Sequence, residues 1–131
     1  IEGHLDEIKP SVIFTHHVND LNIDHQITFR AVLTAARPMH NSFVQEIQCF
    51  ETPSSTEWSF GKLGPTFNPS VFYDVSEYFD MKIHALKQYE SEMHEFPHPR
   101  SFKAIQAMAE KWGSVVGCEL CEAFELVYAR R

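Results

Sequence analysis

Apolar and polar positions along this chain follow two periods, and they mark out alternating strands and helices. Residues 1–9 read as a helix closed by Pro10. The run "SVIFTHH" (11–17) is too continuously apolar to alternate and predicts a short buried strand. In "HQITFRAVLTAA" (25–36), Ile27, Ala31, Leu33 and Ala35 form a helical stripe, with Asp24 as the expected N-cap and Pro38 as the stop. "FVQEIQCFE" (43–51) alternates and predicts a strand. Residues 53–70 hold three prolines and two glycines, so they form a loop. "VFYDVS" (71–76) is a further strand, and Ser76 is placed to cap a helix over "EYFDMKIHALKQYESEM" (77–93), in which Phe79, Ile83, Leu86 and Met93 recur at helical spacing. The prolines of "FPHPR" (96–100) forbid helix there. "SFKAIQAMAEKWGSVVG" (101–117) starts at a capping serine and ends on glycine, and "CEAFELVYA" (121–129) is a last strand.

Strands that alternate with helices imply an α/β fold, a layered sheet with helices on both faces. At 131 residues, without repeats or linkers, the chain is expected to be a single domain, 1–131. In open α/β sheets, ligands sit beyond the C-terminal ends of the strands. That makes "THHVNDLNIDH" (15–25) the loop to watch, because it leaves a strand and enters a helix.

Composition narrows the classes without choosing one. The chain is 44% hydrophobic and 22% charged, with a formal net charge of −7. That acidity argues against a nucleic-acid partner, and no apolar run reaches the ~20 residues of a membrane span. No signal peptide is visible, although the chain opens on Ile1 rather than Met. Of the three cysteines, Cys49 stands alone, while Cys118 and Cys121 form a single C-x-x-C that lacks the second pair of a zinc knuckle. Reduced structural thiols are the simpler reading, which places the protein in the cytoplasm.

Three clusters carry candidate chemistry, each beside a plainer reading. Asp24 and His25 open a helix next to Asp20, Asn22, His16 and His17. They are either a cap with a satisfied histidine or a metal ligand with its orienting acid. "FETPSSTEWSFG" (50–61) sets Glu51 and Trp58 among hydroxyls. This suits a sugar, whose apolar face stacks while its hydroxyls hydrogen-bond, but equally suits a loop fixed to the core by aromatics. "EFPHPRS" (95–101) places His98 and Arg100 before a helix start, as an anion site or as a rigid turn. "GHLDE" (3–7) has metal-motif residues but lies upstream of a strand, at the wrong end of the sheet, and reads as solvated surface.

Taken together and in order, "PSVIFTHHVNDLNIDHQITFRAVLTAARP", "FETPSSTEWSFG", "FNPSVFYDVS", "ALKQYESEMHEFPHPRS" and "EAFELVYARR" resemble the PIG-L/LmbE family of zinc-dependent N-acetylglucosaminyl de-N-acetylases. The resemblance implies a Rossmann-like fold and a zinc cofactor, with removal of acetyl from an N-acetyl amino sugar or its conjugate. It makes His25 the later zinc ligand, with Asn22 and Asp24 beside it as catalytic side chains. Asn22 occupies the place where the family often has an oxyanion-stabilising histidine. Glu51, Trp58, Arg100 and His98 would hold the sugar and any phosphate. The family's early "HPDDE"-type motif, which brings the other ligands and the general base, is absent from the sequence. The chain is therefore expected to be the C-terminal part of such a domain, inactive alone and prone to self-association through an uncovered sheet edge. The competing reading is an inert half-domain or a carbohydrate-binding module. A nucleotide-binding domain has no support, because no G-x-G-x-x-G is present.

Overall fold

The elements follow the order α1 (Glu2–Ile8), β1 (Val12–His16), α2 (Ile23–Ala35), β2 (Glu46–Phe50), β3 (Val71–Asp74), α3 (Phe79–Leu86), α4 (Phe102–Val116) and β4 (Cys121–Ala129). The structure is a computed structural model, and it describes residues 1–39 and 43–131. Its fold is mixed α/β, with a four-stranded sheet in the order β1-β2-β4-β3 flanked by helices, in keeping with a Rossmann-like layered fold. β1 and β2 run parallel, from the pair Val12–Glu46 to the pair His16–Phe50. β2 and β4 run antiparallel, so the sheet is mixed rather than uniformly parallel. The chain divides into two compact units, residues 1–70 with 124–131 and residues 71–123.

In the first unit the core is Leu5, Val32, Ala35, Ala36, Val44 and Ile47, backed by Ile13, Leu33, Val127 and Tyr128. α2 turns Phe29, Val32 and Ala35 inward, while Ile27 is 58% exposed. The predicted stripe is therefore corrected by a rotation of the helix face. Two side chains such as Phe29 and Val32 each contribute about 2 kcal/mol when buried, which outweighs the placement of Ile27. β2 is buried throughout its centre, Gln48 included, so its polar positions do not face water as strict alternation predicts. β1 lies at one end of the strand order, with Phe14 half exposed.

In the second unit Phe79, Ile105 and Ala109 pack with Val75, Ile83, Leu86, Met93 and Leu120. α4 begins and ends as its sequence predicts. The Ser101 hydroxyl accepts the Ala104 N–H, and Gly117 closes the helix with φ 85°. α3 is shorter than the predicted helix, and Ser76 does not cap it. The Ser76 hydroxyl donates to Asp74 and accepts the Leu120 N–H, a bond that ties the start of β4 to the turn after β3.

Candidate functional site

β1 and β2 are parallel, so the loops that follow them leave the same end of the sheet. The Leu21 N–H donates to the Ser55 carbonyl (3.0 Å), joining the two loops through backbone. Asp20 joins them through side chains. Its carboxylate is fully buried, and Oδ1 accepts the Thr56 hydroxyl at 2.6 Å while Oδ2 lies 2.9 Å from His25 Nδ1. Gln26 Nε2 donates to the Asp20 carbonyl at 2.7 Å. A carboxylate only accepts, so the proton of this pair sits on His25 Nδ1, and the Nε2 lone pair of a neutral ring is left available. A buried carboxylate on one imidazole nitrogen is the arrangement that orients metal-binding histidines.

Asp24 holds neither role the sequence suggests for it as cap or orienter. The N-cap of α2 is Asn22, whose Oδ1 accepts the Asp24 N–H at 2.9 Å. Asp24 itself is exposed in the first turn, so the acid that reaches the ring is Asp20, five residues before His25. Asn22, an exposed residue, is thereby pinned through its carbonyl oxygen, which leaves its NH2 unused by the cap. His16, the last residue of β1, stacks on His25 with ring centroids 4.0 Å apart, and His16 Nδ1 is buried without a hydrogen-bond partner. Burial pushes the His16 pKa down, and the neighbouring His25 adds to that shift against the opposing pull of Asp20.

Trp58 lies in a short 3-10 turn, Glu57–Ser59, and is partly exposed; Glu51 is half-buried just past the end of β2. Both belong to the unit that holds His25. Arg100 and His98 belong to the other unit. There Arg100 pairs with Glu92, its backbone N–H donates to His98 Nδ1, and the His94 and His98 rings sit 4.2 Å apart. His4 and Asp6 of "GHLDE" are exposed on α1.

One grouping escapes the sequence patterns. His17, Cys49 and Glu125 bring a ligand atom each within 4.8 Å of one another, a set that can hold a metal ion. They come from three segments: the residue after β1, the middle of β2 and the middle of β4. No local motif links them. The signal that was available is register, since Cys49 pairs with Thr15 on one side and with Glu125 on the other. Burial raises the Cys49 thiol to about 12, and the negative charges of Glu125 and Asp20 contribute. At His25, by contrast, no second and third ligand converge among the described residues.

No protein-family model and no curated protein matches the sequence. Solved structures do match. Over 99% of this chain, the fold is similar to that of the conserved protein TT1542 from Thermus thermophilus, with a TM-score of 0.77 at 19% identity. It is also similar, over 99% of this chain, to Dbv21, the deacetylase of the antimicrobial A40926 pseudoaglycone, with a TM-score of 0.66 at 16% identity. The chain spans 57% and 55% of the length of those two structures.

Proposed function

We propose that this chain carries the C-terminal part of a PIG-L/LmbE-type, zinc-dependent N-deacetylase that removes acetyl from an N-acetyl amino sugar or its conjugate. The observation that carries the reading is the contact of half-buried His25 with fully buried Asp20, just beyond the C-terminal end of a parallel strand, in a fold similar to that of a known deacetylase. The donor chemistry suits zinc at His25, since a neutral imidazole with its other nitrogen tied to a carboxylate is a preferred ligand. The described residues supply this one ligand, and the remaining ones are assigned to polypeptide beyond this chain.

Bound there, zinc would supply Lewis acidity toward an amide carbonyl and an acidified water. The chain's own residues have separable tasks. Asp20 fixes the ring and its tautomer, and Thr56 fixes Asp20. The NH2 of Asn22, which the cap does not use, donates to the oxygen on which negative charge develops. Asp24, exposed in the first turn of α2, is the acid we assign to exchange protons with the leaving amine and water. Trp58 stacks on the sugar face and Glu51 accepts from its hydroxyls. Arg100 and His98 are the anion-binding candidates of the second unit, where taking a phosphate requires Arg100 to give up Glu92.

The test measures acetate release from N-acetylglucosamine and its phosphorylated conjugates, together with zinc content. The subjects are this chain and the polypeptide extended upstream through its source reading frame. Activity in the extended protein, lost with its zinc in His25→Ala, is the expected result. Retention of both metal and rate in His25→Ala would overturn the reading. The single ligand at His25 favours one alternative, a sugar-binding half-domain, and binding of N-acetylglucosamine without acetate release by the extended protein would establish it.

A further inference from the structure

The residue after β1 and the neighbouring strands β2 and β4 bring together an imidazole, a thiol and a carboxylate in the first unit, and none of the three serves the His25 centre. His17 and Cys49 are almost fully buried, at 3% and 2% exposure, while Glu125 is half-buried. A buried histidine and a half-buried carboxylate in contact normally share a hydrogen bond. These do not: His17 Nδ1 lies 3.4 Å from Glu125 Oε2, yet Nδ1 has no hydrogen-bond partner. The Thr15 hydroxyl is also buried and without a partner, and Thr15 is paired in register with Cys49. Buried polar groups left in this state cost free energy unless something else satisfies them.

The spacing fits a metal better than a proton. Two bonds of ~2.0–2.1 Å at a tetrahedral angle hold nitrogen and oxygen ligands about 3.3 Å apart, which matches the observed 3.4 Å. The field at the thiol is negative, set by Glu125 and Asp20, and it favours a dication. The backbone is stiff at two of the three positions, because Cys49 and Glu125 are register partners in paired strands.

We infer that His17, Cys49 and Glu125 form a binding site for a zinc-class divalent ion. A mixed nitrogen, sulfur and oxygen set selects such an ion over magnesium or calcium, which prefer all-oxygen sites. On binding, the Cys49 S–H bond breaks, its proton goes to water, and the sulfur–metal bond forms from the freed lone pair. His17 binds through a ring lone pair and Glu125 through a carboxylate oxygen. The fourth place goes to water, with the Thr15 hydroxyl beside it. The ion ties the end of β1 to β2 and β4. This site does not rest on the deacetylase reading, and it is loaded or empty regardless of whether an amide is cleaved.

The test uses cobalt(II) as a probe on the metal-free 131-residue chain. A thiolate–cobalt charge-transfer band in the near ultraviolet reports a bound sulfur. With Cys118 and Cys121 both replaced by alanine, the band can arise only at Cys49. It is expected there at one equivalent, is displaced by zinc, and persists in His25→Ala. Cys49→Ser abolishes it, and Glu125→Gln and His17→Gln each weaken cobalt binding at least about tenfold. If circular dichroism shows that Cys49→Ser does not fold, the Glu125 and His17 variants decide. Absence of the band in Cys118→Ala/Cys121→Ala, or a band indifferent to Cys49→Ser or Glu125→Gln, overturns the site. Loss of the band together with retained activity in the extended protein separates this failure from failure of the deacetylase reading.

Discussion

Asp20 Oδ2 sits 2.9 Å from His25 Nδ1, and this contact makes a loop acid the partner of a helix histidine five residues later. Because Asp20 Oδ1 is taken by Thr56, both carboxylate oxygens are spoken for inside the protein. Asp20→Ala leaves the Thr56 hydroxyl and the His25 N–H without acceptors, and is expected to cost about 3 kcal/mol in urea unfolding. Asp20→Asn keeps one acceptor and costs less. Nitrogen-15 NMR of the wild-type ring should show the proton on Nδ1. A proton on Nε2 instead would remove the basis for metal binding at His25.

Asn22 caps α2 through one hydrogen bond to Asp24 N–H. Asn22→Ala is therefore expected to lose about 1 kcal/mol, and Asn22→Asp to lose almost nothing. In the extended protein the two variants diverge from that order. Both lack the NH2, so both should fall on the order of 10²-fold in kcat while keeping zinc. Equal activity of Asn22→Asp and wild type would reduce Asn22 to a cap.

Gly113 is buried in the last turns of α4, and a Cβ built there meets the Cys118 and Glu119 carbonyl oxygens at 2.6 and 2.7 Å. Alanine ordinarily favours a helix over glycine by about 1 kcal/mol. Here the obstacle is backbone, which cannot rotate away, so Gly113→Ala is expected to be destabilising by roughly 1–3 kcal/mol in thermal or urea unfolding. A rise in stability would show that the turn at Cys118 yields.

Asp74 accepts the hydroxyl and the backbone N–H of Ser76, and these bonds hold its carboxyl below the ordinary carboxylate value. A depressed carboxylate stabilises the fold above its unfolded pKa of 3.8, and that contribution is lost as pH falls through the lower, folded value. Ser76→Ala removes the larger of the two bonds. The NMR titration of Asp74 should then move up toward 3.8. An unmoved midpoint would assign the shift to something other than Ser76.

Cys121 is buried, and burial, with Cys118 adding to it, raises its thiol to about 11. Cys49 is buried and raised to about 12. Alkylation of the native chain near neutral pH should therefore label Cys118 and spare the other two, since the thiolate is the reactive form. Rapid labelling of Cys121 would show that burial neither shields its thiol nor holds it protonated.

Local chemistry in the sequence determined where most elements lie. A serine before "FKAIQAM" and a glycine after "GSVV" bound α4 as predicted, because caps act within a turn of their own residue. The α/β order and the placing of "THHVNDLNIDH" past a strand end were legible for the same reason: periodicity and breakers are short-range. Tertiary structure decided the rest. α2 buries Phe29 and Val32 rather than Ile27, and β2 hides Gln48, because the facing sheet neighbours set which side is the core. Asp20 displaced Asp24 as the partner of His25 because burial and the hydroxyl of Thr56, thirty-six positions away, fix its carboxylate. The His17–Cys49–Glu125 set is a product of strand register. Register depends on pairings between distant segments, and spacing along a single chain does not encode it in any motif.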